Sequence, residues 1–257
     1  MEEIPEGFDG LVYIANRLLG PGGCPWDKAQ THESLKRHLI EETYETVEAI
    51  DAKDPERLKE ELGDLILQPV MHAQMSAAAG GFDIQDVIET VKQKLVRRHP
   101  HVFGDVNEST PEQVLANWDE IKRMESGWAR SAIGGVPKSL PSLLRAFEIS
   151  KRAARAGFEW PSKEAVMHKV FEELNELRAA ELNADKAEIE AELGDFLFAL
   201  VNLCRWLDVE PEDALRKMID RFVRRFEMME RTAQKPLKQM TAEEWDDLWN
   251  QAKAAER

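Results

Sequence analysis

The sequence predicts an all-α fold built from two similar helical domains in tandem. Apolar residues recur at steps of three and four, and a strand-like alternation of apolar and polar residues is almost absent. A pattern of carboxylates also occurs twice, displaced by 131 residues without a gap. A repeated unit of helical period is typical of antiparallel helical bundles with short connections. The apolar sets that show the period are Leu58, Leu62, Leu65 and Ile66, and Ile189, Leu193, Phe196, Leu197 and Leu200.

The composition indicates an acidic globular protein. Of the 257 residues, 43% are hydrophobic and 32% are charged, a balance that favours a packed core over a disordered chain. The formal net charge of -15 disfavours binding to nucleic acid backbones and anionic lipid, so we expect neither nucleic acid nor membrane as a partner. Only two cysteines, no signal-like start and no apolar run approaching about 20 residues predict a cytoplasmic protein.

Glycine and proline mark the boundary between the two halves. Residues 126–141 contain Gly134-Gly135, Pro137 and Pro141 and show no helical period, which predicts a linker. The expected domains are then residues 1–125 and 142–257. Within them, Asp54-Pro55 is typical of a helix start, and Thr241 with Glu244 is typical of a capping box.

Each half carries acids spaced for a metal site. The first copy runs Glu41-Glu42-Thr43-Tyr44-Glu45 and then Glu61-Leu62-Gly63-Asp64; the second runs Glu172-Glu173-Leu174-Asn175-Glu176 and then Glu192-Leu193-Gly194-Asp195. Residues three apart share a helix face, and a chain reversal between the two segments brings four carboxylates together. The predicted sets are Glu42, Glu45, Glu61 and Asp64, and Glu173, Glu176, Glu192 and Asp195.

These acids form either a solvated helix face or a divalent-cation site. The duplication and the neighbouring leucines favour the cation site, since acids beside a core face are costly unless they are paired or bound. All-oxygen ligands suit Mg²⁺, with Mn²⁺ as a substitute. A carboxylate-bridged di-iron site is excluded, because none of the six histidines has a glutamate three residues before it.

Basic residues form local exceptions in this acidic chain. They occur as Lys94, Arg97 and Arg98 and, 127 residues later, as Arg221, Arg224 and Arg225. Such clusters hold phosphate oxygens, although cations at a helix C-terminus also complement the helix dipole. A tryptophan and a lysine follow each triplet, and the tryptophan either stacks on a base or packs in a core: Trp118 with Lys122, and Trp249 with Lys253. Acids, cations and an aromatic ring together predict a nucleotide polyphosphate site.

With these motifs the sequence resembles the MazG nucleoside triphosphate pyrophosphohydrolases of the all-α NTP pyrophosphatase superfamily. The acid motifs are shared across that superfamily, which includes dimeric dUTPases and phosphoribosyl-ATP pyrophosphohydrolases. The narrower likeness covers nearly the whole chain, and the duplication and the loop Gly22-Gly23-Cys24-Pro25-Trp26-Asp27 carry it. The match also includes Arg97-Arg98-His99-Pro100-His101-Val102-Phe103.

The resemblance implies two tandem helical bundles, a homodimer, and Mg²⁺-dependent hydrolysis of NTPs and dNTPs between the α- and β-phosphates. The products are a nucleoside monophosphate and pyrophosphate, with broad base specificity and a role in clearing aberrant nucleotides. It assigns proton transfer to Glu172 or Glu173. It assigns substrate contacts to Lys169, Arg221, Arg224, Arg225, Trp249 and Lys253, with Lys94, Arg97, Arg98, Trp118 and Lys122 as their equivalents in the first half.

The resemblance places activity mainly in the second copy. Pro69 departs from the family pattern five residues after Asp64, where the second half has Leu200, and it should kink its helix by removing a backbone hydrogen bond. Two other interpretations remain open: a nucleotide or alarmone sensor that binds without cleaving, and a helical scaffold whose acids have no ligand.

Overall fold

The computed structural model describes residues 3–105, 110, 113–114, 117–118, 121 and 131–256, and every regular element in these ranges is helical. The all-α prediction is therefore confirmed. The chain divides between residues 126 and 127 into two compact units. The first contains α1 (Gly7–Leu19), α2 (Pro25–Lys28), α3 (His32–Ala52), α4 (Pro55–Ala78), α5 (Ile84–Arg98) and α6 (Pro100–Phe103). The second contains α7 (Ser142–Arg155), α8 (Lys163–Asn183), α9 (Lys186–Trp206), α10 (Pro211–Thr232), a 3₁₀ turn (Leu237–Gln239) and α11 (Ala242–Ala255).

The repeat seen in the sequence is also a repeat of helix boundaries. α3 and α8 each have 21 residues and begin and end 131 positions apart, and α4 and α9 begin 131 positions apart. Lys53 and Ala184 both take a left-handed backbone after the first helix of the pair, with φ of 53° and 55°. Asp54 and Asp185 then accept hydrogen bonds from two backbone N–H groups of the next helix. The same reversal therefore sets each pair of acidic helices antiparallel.

In the first unit, α4 is the central helix and packs against α3, α1 and α5. Its core is a small apolar cluster contributed by four helices: Ala15, Leu35, Val70, Met71, Ala73 and Ile84. α4 contains Pro69, the residue expected to kink it, on its exposed side and continues to Ala78. Burial of the residues on either side of Pro69 holds the helix together where proline supplies no N–H.

In the second unit, α9 packs against α8 and α7, and α10 packs against α11 and α7. This unit contains a polar network, buried at Ser150 and Asn202, in which Arg205 bonds Glu159 and Ser150, and Ser150 donates to Asn202 at 2.7 Å. Asn202 stands 131 positions after Met71, a residue of the apolar core in the first unit. The two units thus share a backbone plan and differ in how their cores are filled.

The leucines beside the acids are not core residues in a single chain. Leu62 is 42% exposed and Leu193 is 44% exposed, although the apolar period assigns both to a buried face. That expectation is wrong: in the described residues, the helices that pack on α4 and α9 leave these two side chains partly exposed. No helix in the described ranges combines the length and the apolar character needed to cross a membrane.

Candidate metal and nucleotide site

The second unit brings three of its four predicted metal ligands together. Glu173 and Glu176 on α8 and Glu192 on α9 each offer a carboxylate oxygen within 4.8 Å of the other two. Glu173 is the most enclosed of them, with its side chain 8% exposed. Asp195 lies one turn after Glu192 but is exposed and outside this group. These three glutamates are called the C-terminal acid set below.

The first unit repeats the arrangement. Glu42 and Glu45 on α3 and Glu61 on α4 form a group with the same 4.8 Å limit, called the N-terminal acid set below. Asp64 again lies outside the group, yet its charge is among the causes that raise the pKa of Glu42. The fourth predicted ligand in each half is therefore near the site rather than in it.

Repulsion among these carboxylates changes their proton affinity. Burial raises the pKa of Glu42, and the charges of Asp64, Glu45 and Glu61 raise it further. The pKa of Glu176 is raised first by its hydrogen bond with Glu173, and then by burial and the charge of Glu173. In each set the neighbouring carboxylates therefore raise the pKa of one member, as like charges held close together do.

Each acid set includes one member that is paired with a basic residue. Lys169 Nζ lies 2.6 Å from Glu172 and 2.7 Å from Glu173, and this ammonium lowers the pKa of Glu172. In the first unit, Arg57 Nη2 lies 2.9 Å from Glu48 and Arg57 Nε lies 3.3 Å from Glu61. Sequence reasoning missed Arg57 and Glu48, although the four-residue spacing from Arg57 to Glu61 signals a helical ion pair.

The donor set fits a hard divalent cation. Oxygen ligands on opposite sides of a bound Mg²⁺ are about 4.2 Å apart, since each Mg–O bond is about 2.1 Å. Carboxylates already within 4.8 Å need only small side-chain movements to reach that spacing. A bound cation would offset the charge repulsion that raises the pKa of Glu42 and of Glu176. Glu42, Glu45 and Glu61, and Glu173, Glu176 and Glu192, are the residues that would hold it.

Four of the five predicted substrate-binding cations of the second unit line one cavity, whereas the fifth, Lys169, lies beside the acids. Arg221, Arg224 and Arg225 from α10 meet Lys253 and Glu256 near the end of α11 around a cavity of about 500 Å³. Arg225 Nε donates to Glu256 at 2.6 Å, and its guanidinium lies 5.5 Å from the Trp249 ring centroid. Trp249 in turn contacts Phe222, with ring centroids 5.4 Å apart. The structure thus assembles all of these residues at a single place.

Helix boundaries distinguish the two basic triplets. Arg97 and Arg98 lie in the last turn of α5, where they complement the helix dipole. Arg221, Arg224 and Arg225 lie inside α10, which continues to Thr232, so the dipole does not explain them. Trp118 is half-buried, with its ring centroid 6.1 Å from that of His99. Lys94 is also half-buried, and Lys122 lies outside the described residues.

The acids and the cations of the second unit line separate cavities. A groove of about 350 Å³ runs along one face of α8 and is lined by His168, Phe171, Glu172, Asn175, Glu176 and Ala179. It shares no lining residue with the cavity of α10 and α11. Within the described residues, therefore, the groove beside Glu172 and Glu176 is separate from the cavity of the basic cluster, which consists of Arg221, Arg224, Arg225 and Lys253.

Comparison with known proteins identifies the architecture. The MazG nucleotide pyrophosphohydrolase domain matches twice, at residues 30–103 and 161–229, which covers both acidic helix pairs. The chain is 46% identical over its full length to the nucleoside triphosphate pyrophosphohydrolase/pyrophosphatase MazG of Thermotoga maritima, of which it covers 99%. It is 42% identical to the nucleoside triphosphate pyrophosphohydrolase of Escherichia coli K12, with 97% of this chain and 98% of that protein aligned.

A third similar protein shows the same unit in a longer chain. The uncharacterized protein YabN of Bacillus subtilis is 47% identical over 97% of this chain, which spans 52% of that protein. The resemblance drawn from the motifs is thus confirmed by a domain match in each half and by full-length relatives. With its repeated acidic helix pairs and this similarity along its whole length, the chain belongs to the MazG nucleotide pyrophosphohydrolase family.

Proposed function

We propose that this protein is a nucleoside triphosphate pyrophosphohydrolase. It cleaves NTPs and dNTPs between the α- and β-phosphates and releases a nucleoside monophosphate and pyrophosphate. The observation that carries the proposal is the C-terminal acid set, in which two antiparallel helices place three carboxylates within 4.8 Å. The relatives from Thermotoga maritima and Escherichia coli, both named nucleoside triphosphate pyrophosphohydrolase, support the class of reaction.

The metal proposed for this site is Mg²⁺, with Mn²⁺ as a substitute. When bound, it would neutralise phosphate charge and lower the pKa of a coordinated water. Glu172 is the group we assign to receive the proton of the attacking water, because Lys169 keeps it ionised and it is not a member of the acid set. Lys169 bonds both Glu172 and Glu173 and so fixes the proton acceptor beside a metal ligand.

The basic cluster supplies the contacts to the polyphosphate. Arg221, Arg224, Arg225 and Lys253 present positive charge around one cavity, and guanidinium groups bind phosphate oxygens through paired hydrogen bonds. Glu256 now bonds Arg225, and phosphate oxygens would take the place of its carboxylate. Trp249 lies against the Arg225 guanidinium and offers an aromatic face for the base.

A homodimer would join the acids and the basic cluster. In one chain they line different cavities, and apolar side chains next to the acids are exposed, Phe171 at 58% among them. A second copy that covers these side chains would bring its own basic cluster toward the acids. Light scattering on the purified protein tests this step: twice the 29.4 kDa chain mass supports it, and a monomer at assay concentration contradicts it.

The reaction is tested by incubating the full chain with Mg²⁺ and a dNTP and separating the products. Monophosphate and pyrophosphate in equal amounts support the proposal. Orthophosphate and a diphosphate would place the cleaved bond elsewhere. Nucleotide binding without turnover would favour the sensor interpretation, and absence of binding would favour the scaffold. The full-length variant Glu176→Gln with Glu192→Gln, which removes two members of the acid set, serves as the control for contaminating phosphatases.

Broad base specificity and the clearing of aberrant nucleotides are the finer parts of the proposal. They rest on Trp249, because an aromatic ring stacks on any base and does not discriminate strongly among them. Rates measured with the four canonical dNTPs and with deaminated analogues test this point. Turnover of a single base, with the others at background, would contradict it.

A further inference from the structure

The two acid sets differ in which carboxylate is paired with a cation. In the C-terminal set, Lys169 bonds Glu173, which lies on the same helix and shares that helix with a second member, Glu176. In the N-terminal set, Arg57 bonds Glu61, the only member that the second helix contributes. Within the described ranges, no cation pairs with Glu192, the residue equivalent to Glu61.

The residue that makes this contact is reversed in charge between the two halves. Position 188, which is 131 residues after Arg57, is Glu188, an exposed acid one turn before Glu192. Glu61 therefore has a cation one helical turn away, whereas Glu192 has an anion at the same place. A divalent cation approaching Glu61 meets a guanidinium, and one approaching Glu192 meets an additional carboxylate.

Arg57 is also anchored in a way that Lys169 is not. Its guanidinium bridges two helices, because Glu48 lies on α3 while Arg57 and Glu61 lie on α4. A guanidinium has a planar set of donors that is fixed by two such contacts, whereas an ammonium on a flexible stem moves readily between neighbouring carboxylates. Lys169 differs in that both of its partners, Glu172 and Glu173, lie on its own helix, so it does not join two helices.

We propose that Arg57 lowers the divalent-cation affinity of the N-terminal acid set and thereby separates the two otherwise similar sets. This inference rests on the proposed use of a divalent metal, and it concerns the set to which no catalysis is assigned. At metal concentrations that fill the C-terminal set, the N-terminal set is filled only in part. The charge at a single position then accounts for unequal roles of two acid groups with the same geometry.

The test exchanges the two residues in the full chain and measures Mn²⁺ binding by electron paramagnetic resonance, without any substrate. Arg57→Glu is made in a background of Glu176→Gln with Glu192→Gln, which leaves the N-terminal set as the site measured. We expect its dissociation constant for Mn²⁺ to fall about fivefold, a typical size for a change of two charge units near an exposed group. Arg57→Gln, a milder change, should give about a twofold fall.

The reciprocal variant is Glu188→Arg in a background of Glu45→Gln with Glu61→Gln, which leaves the C-terminal set as the site measured. Relative to that background alone, the dissociation constant for Mn²⁺ should rise about fivefold. Lys59→Glu is the matched control. It makes the same charge change on α4, but Lys59 is an exposed residue paired with Glu56 and contacts no member of the set. An equal effect of Lys59→Glu and Arg57→Glu would show a general charge effect and overturn the proposal.

Two further outcomes also overturn the proposal. One is an unchanged Mn²⁺ dissociation constant with Arg57→Glu. The other is that the chain with Glu176→Gln and Glu192→Gln binds no Mn²⁺, whether residue 57 is arginine or glutamate. Neither outcome bears on the reaction, because catalysis is assigned to the other set and is measured separately in the unmodified chain. Conversely, if the chain binds Mn²⁺ in both sets but releases no pyrophosphate from a dNTP, the proposed function is contradicted and the proposed role of Arg57 is not.

Discussion

The two units of this protein have nearly the same acidic helix pairs and differ in the charges placed around them. Helix boundaries, aspartate caps and left-handed turn residues repeat at the same displacement in both units. By contrast, Lys169 replaces His38 and Glu188 replaces Arg57 at equivalent positions. The helix arrangement is therefore the same in both units although the charged residues around the acids differ. This is possible because exposed side chains contribute little to the packing that maintains the helices.

The surroundings of the acid sets diverge as well. α5 ends at Arg98, just before the proline of residue 100, whereas α10 continues seven residues beyond Arg225 to Thr232. Its basic residues consequently occupy the middle of a helix and face the end of α11 across a cavity. This difference favours polyphosphate binding in the second unit, and the predictions below test how unequal the two units are.

The largest expected effect is on turnover. Asp195→Ala should lower kcat by more than about 100-fold, because it removes a carboxylate that lies one turn after Glu192 and borders the proposed metal site. Asp64→Ala, the equivalent change in the first unit, should lower it less than about twofold. Steady-state pyrophosphate release measures both variants. A large loss with Asp64→Ala alone would reverse the assignment of the catalytic unit.

The next effect concerns substrate affinity. Arg225→Ala should raise KM about tenfold, since a charge-assisted hydrogen bond to phosphate is worth roughly 1.5–3 kcal/mol. Arg231→Ala, in the last turn of the same helix and outside the cavity, is the matched control and should change KM less than about twofold. Similar values for the two variants would mean that overall charge, rather than the cavity, governs binding.

A third comparison tests how well α4 and α9 tolerate proline at equivalent positions, which are residue 69 in α4 and residue 200 in α9. Leu200→Pro should lower the free energy of unfolding by about 3 kcal/mol, because proline removes a helix hydrogen bond and crowds the preceding turn. Pro69→Leu in the first unit should raise it by a smaller amount, about 1 kcal/mol, since α4 already continues through that exposed site. Urea midpoints measure both changes. Destabilisation by Pro69→Leu would show that the first unit depends on its proline.

The smallest effect belongs to the polar network found in the second unit. Hydrogen bonds from Arg205 lower the pKa of Glu159, so this carboxylate contributes stability above its unfolded pKa and loses it as the pH falls through the folded value. Glu159→Gln should therefore cost about 1 kcal/mol at pH 7, a value reduced for partial exposure of the pair. The difference from the unmodified chain should disappear in acid. An unchanged difference at about pH 3 would exclude the ion pair as its source.

The sequence alone determined the helical class, the repeat, the acidic helix pairs and the family. These follow from local rules: helical period, capping residues such as Asp54 and Thr241, and a spacing that places Glu42 and Glu45 on one face. Helix starts are predictable for the same reason, because a cap and the groups it satisfies lie within a few residues of each other.

Only the tertiary structure decided what surrounds the acids. It showed that Asp64 and Asp195 stand outside the groups formed by the glutamates, and that the acids and the basic cluster line separate cavities. It also showed that Arg57 joins Glu48 of one helix to Glu61 of another. These features depend on contacts between helices that are distant in sequence. Helical period assigns a residue to a face, but which neighbour covers that face is set by how the helices pack.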